Sequence, residues 1–148
     1  MVGRYDRPAM ETERTPDDEA LLAAARLITG ISVRAADEAD GLSPVQLRAL
    51  TVLAGGAGAN LASLAEAMGV AVSTASRLVD RLVAAGWVDR RPSDANRREI
   101  SLSLTGEGTG VLTRYDDLRL RQLRERLGRL PAGRRAAVVA ALRDLAAD

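Results

Sequence analysis

The chain has 148 residues, the length of one domain and enough to bury a core, and carries a net charge of only +1. Hydrophobic residues make up 47 % but aromatics 2 %, with no phenylalanine and one tryptophan, Trp87, so small aliphatic side chains must build that core in closely packed helices. Cysteine and histidine are absent, which excludes disulfides, thiol redox sensing, Cys/His zinc sites and imidazole or thiolate catalysis.

Residues 1–17 read as a flexible N-terminal arm ending at Pro16-Asp17-Asp18-Glu19, a helix start. A helix follows from about Asp18 to Asp37, with Leu21, Ala24, Ile28, Ile31 and Ala35 along one side. Ser43 is a candidate N-cap for the next helix, and Pro44 sits in its first turn, where a missing N–H costs nothing. That helix carries Val45, Leu47, Leu50 and Leu53 and ends in Gly55-Gly56-Ala57-Gly58.

The next stretch is the most informative. Leu61, Leu64, Ala65 and Met68 fall at i, i+3, i+4 and i+7, and Gly69 breaks the helix they define. A second helix runs from Ser73 to Ala85 and closes at Gly86, its apolar stripe being Ala75, Leu78, Val79, Leu82 and Val83. Its other face carries Ser73, Thr74, Ser76, Arg77, Asp80 and Arg81. Hydroxyl donors and arginines near the N-terminal half of such a helix are the groups that meet base edges in a major groove.

Trp87-Val-Asp-Arg90 reads as a short strand. Glu99 to Thr105 alternates strictly, with Ile100, Leu102 and Leu104 on one face, and reads as a second strand. Between them, Arg91-Pro-Ser-Asp-Ala-Asn-Arg-Arg98 supplies turn formers and charge, the tip of a projecting hairpin or wing. Thr105 caps a long helix from about Gly106 to Gly128, and Pro131 opens a last one ending near Ala147. The fold class is therefore mainly α with a small β-hairpin wing: a winged helix-turn-helix over 42–105, flanked by dimerisation helices at 18–40 and 106–147, within a single domain of 18–148. The last helix presents Val138, Leu142 and Leu145 with little left in the chain to cover them, so a homodimer is expected, with the termini interdigitating across a two-fold axis.

Charge distribution agrees with a DNA reader. Between Ser73 and Arg98 there are six arginines against three aspartates, whereas residues 1–20 hold three arginines against six acids. All basic residues are arginine, which a GC-rich genome explains better than phosphate chemistry does. No apolar stretch approaches the roughly 18 residues of a membrane span, and Met1 to Pro16 is unlike a signal peptide, so a cytoplasmic location is expected.

In this order and spacing, four segments resemble the multiple antibiotic resistance regulator (MarR) family of winged helix-turn-helix transcription factors. They are Leu42-Ser-Pro-Val-Gln-Leu-Arg-Ala-Leu50; Leu64-Ala-Glu-Ala-Met-Gly-Val70; Ser73 to Leu82 with Gly86-Trp-Val-Asp-Arg90; and Asn96-Arg-Arg-Glu with Leu104-Thr-Gly-Glu-Gly108. The resemblance implies a homodimer on double-stranded DNA carrying a pseudo-palindromic operator, with recognition helices in major grooves and wings toward minor grooves. It also implies repression, and release by a small, often aromatic or phenolic, effector bound between the dimerisation and DNA-binding regions. The wing departs from the family's Asp-Arg-Arg pattern: Asn96 stands at the aspartate position and can accept a hydrogen bond from Arg98 without forming an ion pair, Asp94 being the alternative partner. Lacking cysteine, the chain is unlike the thiol-oxidising members.

The expected DNA-binding residues are Ser73, Thr74, Ser76, Arg77, Arg81, Arg90, Asn96, Arg97 and Arg98. Arg77 is the first candidate for a base or phosphate, against a solvated pairing with Asp80 three residues on. Ser73 is expected to cap the helix, and Thr74 and Ser76 to touch DNA or merely face solvent. Arg97 and Arg98 suit a narrow minor groove; Arg90 and Arg91, nearer the wing base, suit backbone phosphate or a local salt bridge. Trp87 is expected beneath the wing, and Tyr115 in either a ligand cavity or the core. The alternative function is a winged-helix protein–protein interaction module docking an acidic partner, with only non-specific DNA affinity. An enzyme is not expected: lysine is absent too, and the acids Glu66, Asp80, Asp89, Asp94 and Glu99 are scattered over different elements. No cofactor or metal is implied.

Overall fold

The computed structural model describes residues 14–39, 41–56, 60–93 and 100–147. Their order is α1 (Pro16–Glu38), α2 (Pro44–Ala54), α3 (Leu61–Met68), α4 (Val72–Ala84), β1 (Val88–Pro92), β2 (Ile100–Leu104), α5 (Gly106–Gly128) and α6 (Ala132–Leu145). The chain divides into two compact units, Met1–Gly30 and Ile31–Asp148, with the division inside α1. Of the expected N-terminal arm, residues 1–13 lie outside the described residues.

In the first unit, Thr15 precedes α1 and exchanges hydrogen bonds with Asp18: the Thr15 amide and hydroxyl each donate to the carboxylate at 2.8 Å, and the Asp18 amide donates to the hydroxyl at 3.1 Å. The reciprocal cap satisfies first-turn amides. The Thr15 amide, and then its hydroxyl, hold the Asp18 carboxyl below its ordinary value. The apolar stripe expected along α1 is realised in its second half, where Ile31 and Ala35 are buried, while Leu21 is exposed.

The second unit carries the core. Leu50 of α2, Leu64 of α3, Val79 and Leu82 of α4 and Val111 of α5 are completely buried and pack in one cluster with Val88 of β1 and Leu102 of β2. Local chemistry fixes where each helix starts. Ser43 caps α2 through a full capping box with Gln46, and Asn60 caps α3 through one with Ser63. Gly69 ends α3 at φ +65°, a conformation glycine adopts without strain, and turns the chain into α4.

The start of α4 differs from the sequence expectation. Ser73 does not cap α4: the helix begins at Val72, its N-cap is Ala71, and no side chain caps it. The Thr74 and Ala75 amides already donate to the Ala71 carbonyl, at 2.9 and 3.0 Å, so Ser73 stands inside the first turn.

The hairpin is antiparallel, in a register that pairs Val88 with Leu104 and Pro92 with Ile100. Trp87 precedes β1 rather than belonging to it and lies half-buried against the core. β1 in turn extends through Arg91 and Pro92, which the sequence suggested were already in the tip. On β2, Leu102 is buried and Leu104 partly so, whereas Ile100, at the outer end, is exposed.

The start of α5 is locked to the end of α4. The Thr105 hydroxyl donates to the Gly86 carbonyl at 2.6 Å and accepts from the Gly108 amide at 3.0 Å, while the Thr105 amide donates to the Trp87 carbonyl. Gly108 is buried so close to the Trp87 carbonyl that a Cβ there would collide with it. Tyr115 belongs to the core, with the Arg119 guanidinium 5.1 Å over its ring. No helix among the described residues is long and apolar enough to cross a membrane.

Candidate nucleic-acid interface

The amphipathic character of α4 places the candidate site. Ala75, Leu78, Val79 and Leu82 are buried in the core, which turns the helix's opposite side outward. Ser73, Thr74, Arg77, Asp80 and Arg81 are exposed there, and Ser76 is half-buried at the edge of the stripe. Val83, expected within the stripe, is 38 % exposed, and Val72 at the first helical position is 51 % exposed. The polar residues singled out from sequence thus share one helix and one open side.

Neither Arg77 nor Arg81 forms an ion pair with another described residue, so the alternative reading of Arg77, a solvated pairing with Asp80, does not occur among them. Asp80 instead accepts from Arg90 of β1, Nη2 to Oδ1 at 2.8 Å. Arg90 therefore takes the local salt bridge that its place at the wing base allowed. Arg91 does likewise, its Nε donating to Asp89 at 2.7 Å on the same strand. Among the described residues, Arg77 and Arg81 of α4 have no ion-pair partner, whereas Arg90 and Arg91 at the wing base are each paired. The candidate wing-tip residues Asn96, Arg97 and Arg98, and the alternative partner Asp94, lie outside the described residues.

An open cleft of about 500 Å³ lies between the end of α2, strand β2 and the first half of α5. Leu53, Leu102, Leu104 and Leu112 line its apolar side, and Thr109, Thr113 and Asp116 its polar side. Among the described residues no group of His, Cys, Asp or Glu is placed to hold a metal ion. What this arrangement offers chemically is directional donors and positive charge on a rigid helix, beside a hairpin tied to it.

Comparison with known proteins agrees with that geometry. The profile of the MarR family matches residues 40–99, the span from the end of α1 to the start of β2. The crystal structure of RV1404 from Mycobacterium tuberculosis is 33 % identical, with a TM-score of 0.80 over 90 % of this chain and 93 % of that one. The transcriptional regulator Tm0710 from Thermotoga maritima is 23 % identical, with a TM-score of 0.75 over 89 % and 92 % of the two chains. A mutant of MepR from S. aureus, bound to an oligodeoxyribonucleotide, shares the fold at 14 % identity and a TM-score of 0.72, covering 89 % of this chain and 96 % of that one. No curated protein sequence matches the chain. Sequence pattern, helix order, hairpin and structural likeness agree: the chain belongs to the MarR family of winged helix-turn-helix transcriptional regulators.

Proposed function

We propose that the protein is a homodimeric repressor that binds a pseudo-palindromic DNA operator in the cytoplasm and is released by a small molecule. The observation that carries the reading is the exposed side of α4, where Arg77 and Arg81 are paired with no described residue and Ser73 and Thr74 stand beside them. In this reading α4 enters the major groove, with Arg77 bridging a base edge or phosphate and Ser73, Thr74, Ser76 and Arg81 completing the contact. Asn96, Arg97 and Arg98 approach the adjacent minor groove from the wing tip. The MepR mutant of the same fold, bound to an oligodeoxyribonucleotide, supports DNA as the partner.

Dimerisation is supported by α6, which buries none of its residues and exposes Val138, Val139, Leu142 and Leu145. Effector release is supported by the cleft between β2 and α5, where a ligand would press on both the wing and a dimerisation helix. In-vitro selection from a random duplex pool at near-physiological salt tests the proposal. Enrichment of a two-fold palindrome with half-sites about one helical turn apart is the expected result. Binding that enriches nothing and vanishes as salt rises would overturn it in favour of an acidic protein partner.

A further inference from the structure

We infer that Val72 is a specificity residue that reads the C5-methyl group of a thymine in each half-site, an inference that rests on the DNA-binding reading of α4. Both helices of the helix-turn-helix begin with a large aliphatic residue, and the two are used differently. Leu61, first in α3, is partly buried and packs against the core. Val72, first in α4, is 51 % exposed although the helix has its full core complement in Ala75, Leu78, Val79 and Leu82. It does not cap the helix either, since the cap position is Ala71.

The position gives the side chain a direction. Every Cα–Cβ bond in an α-helix tilts toward the N-terminus, so at the first helical position the valine methyls project ahead of the helix. That is the end of a recognition helix that approaches base edges. Of its surface neighbours on that turn, Ser73 and Ser76 offer only hydroxyls, and Thr74 sets one methyl beside its hydroxyl, so Val72 is the larger and wholly apolar side chain there. The thymine methyl is the one apolar group that the standard bases present in the major groove, and apolar side chains read it by contact. A β-branched side chain is already stiff at χ1, so little rotamer freedom is lost on docking. Together with an arginine suited to guanine at Arg77, Val72 makes each half-site a combination of a guanine and a thymine.

The test uses the full-length protein and the duplex enriched by the selection above. Each thymine of the half-site is replaced in turn by deoxyuridine, which removes the methyl and leaves base pairing intact. Wild type is expected to lose about fourfold in affinity at one thymine, and about fifteenfold when both half-sites are changed. Val72→Ala and Val72→Ser are each expected to bind the methylated duplex more weakly and to be indifferent to deoxyuridine at that position. Both should melt like wild type, because Val72 is exposed, and either alone suffices if the other is unstable. Sensitivity that persists in both variants would assign the methyl to another residue and overturn the inference, as would wild-type indifference at every thymine. Those results would leave operator binding standing, whereas a pool with no enriched duplex would overturn the inference and the DNA-binding reading together.

Discussion

Arg90, on β1, donates to Asp80, on the exposed side of α4, across 2.8 Å. Both side chains are partly solvated, 34 % and 59 % exposed, so as an ion pair it adds little to stability. Its geometric consequence is larger. It joins β1 of the hairpin to α4, the two elements that the proposed function places in adjacent grooves. In the DNA-binding reading, the pair gives Arg90 a positioning role through Asp80 in place of a phosphate contact.

Asp80→Asn separates positioning from charge. An acid removed near DNA strengthens binding if only long-range electrostatics matter, because one repulsion with phosphate is lost. If the pair holds the wing in place, Asp80→Asn instead weakens operator binding, by about 1 kcal/mol, and Arg90→Gln does so by a similar amount. The double variant should then be little worse than either single one, while chemical denaturation changes by less than about 1 kcal/mol in all three. Tighter operator binding by Asp80→Asn would refute the positioning role.

Arg77→Ala is expected to cost about 1–3 kcal/mol of operator affinity and to relax preference at one base per half-site. Arg98→Ala, from the wing tip, should weaken all sequences more evenly and lower the salt slope by about 1. Repeating the selection with each variant checks the first effect, and affinity titrations at several salt concentrations check the second. Wild-type behaviour in both would mean that the contacts lie elsewhere on the fold.

The helix-turn-helix and wing were legible because their signals are local. Leu64, Met68, Leu78, Val79 and Leu82 recur at helical spacing, and Gly69 and Gly86 both adopt positive φ where the periodicity breaks. The start of α4 was not legible, because serine is a strong N-cap by preference and Ser73 is the first serine available. The tight turn at Gly69 and the burial of Ala75 and Val79 fix the helix phase instead, and they place alanine at the cap. Nor did sequence choose among the partners of Asp80. Arg77 lies one turn away on the same helix, but Arg90, reached through the turn at Gly86, forms the bond. Such a contact depends on how β1 leaves α4, which no periodicity encodes.

Two glycines of α5 should respond in opposite ways to alanine. At Gly108 the added Cβ would collide with the Trp87 carbonyl, a backbone atom held by the Thr105 amide, so relief requires moving α5 away from the end of α4. Gly108→Ala is expected to destabilise by about 3 kcal/mol, as overpacking against backbone does. Gly128, at the last turn of the same helix, has nothing within 4 Å of the place an added methyl would take, and an ordinary helical φ. Gly128→Ala should therefore stabilise by roughly 0.5–1 kcal/mol. Urea denaturation of the pair measures both, and equal effects would mean that the clasp between Thr105, Gly86 and Gly108 is not tight in solution.

The same comparison of cost and cover applies to α6. A helix of 14 residues is marginal by itself in water, yet against the described residues α6 buries no side chain and leaves Leu142 48 % and Leu145 81 % exposed. In the proposed dimer, a second copy covers it and supplies its order. Leu142→Asp is accordingly expected to convert the dimer to a monomer in size-exclusion chromatography with light scattering, and to reduce helix content measured by circular dichroism. Because the operator is two-fold, that variant should also lose most of its affinity for the full site while keeping its weak affinity for one half-site. The wild-type melting temperature should rise with protein concentration, as for any fold completed by association. A monomeric wild type whose melting temperature is independent of concentration would require α6 to be covered from within the chain and would remove the basis for a palindromic operator.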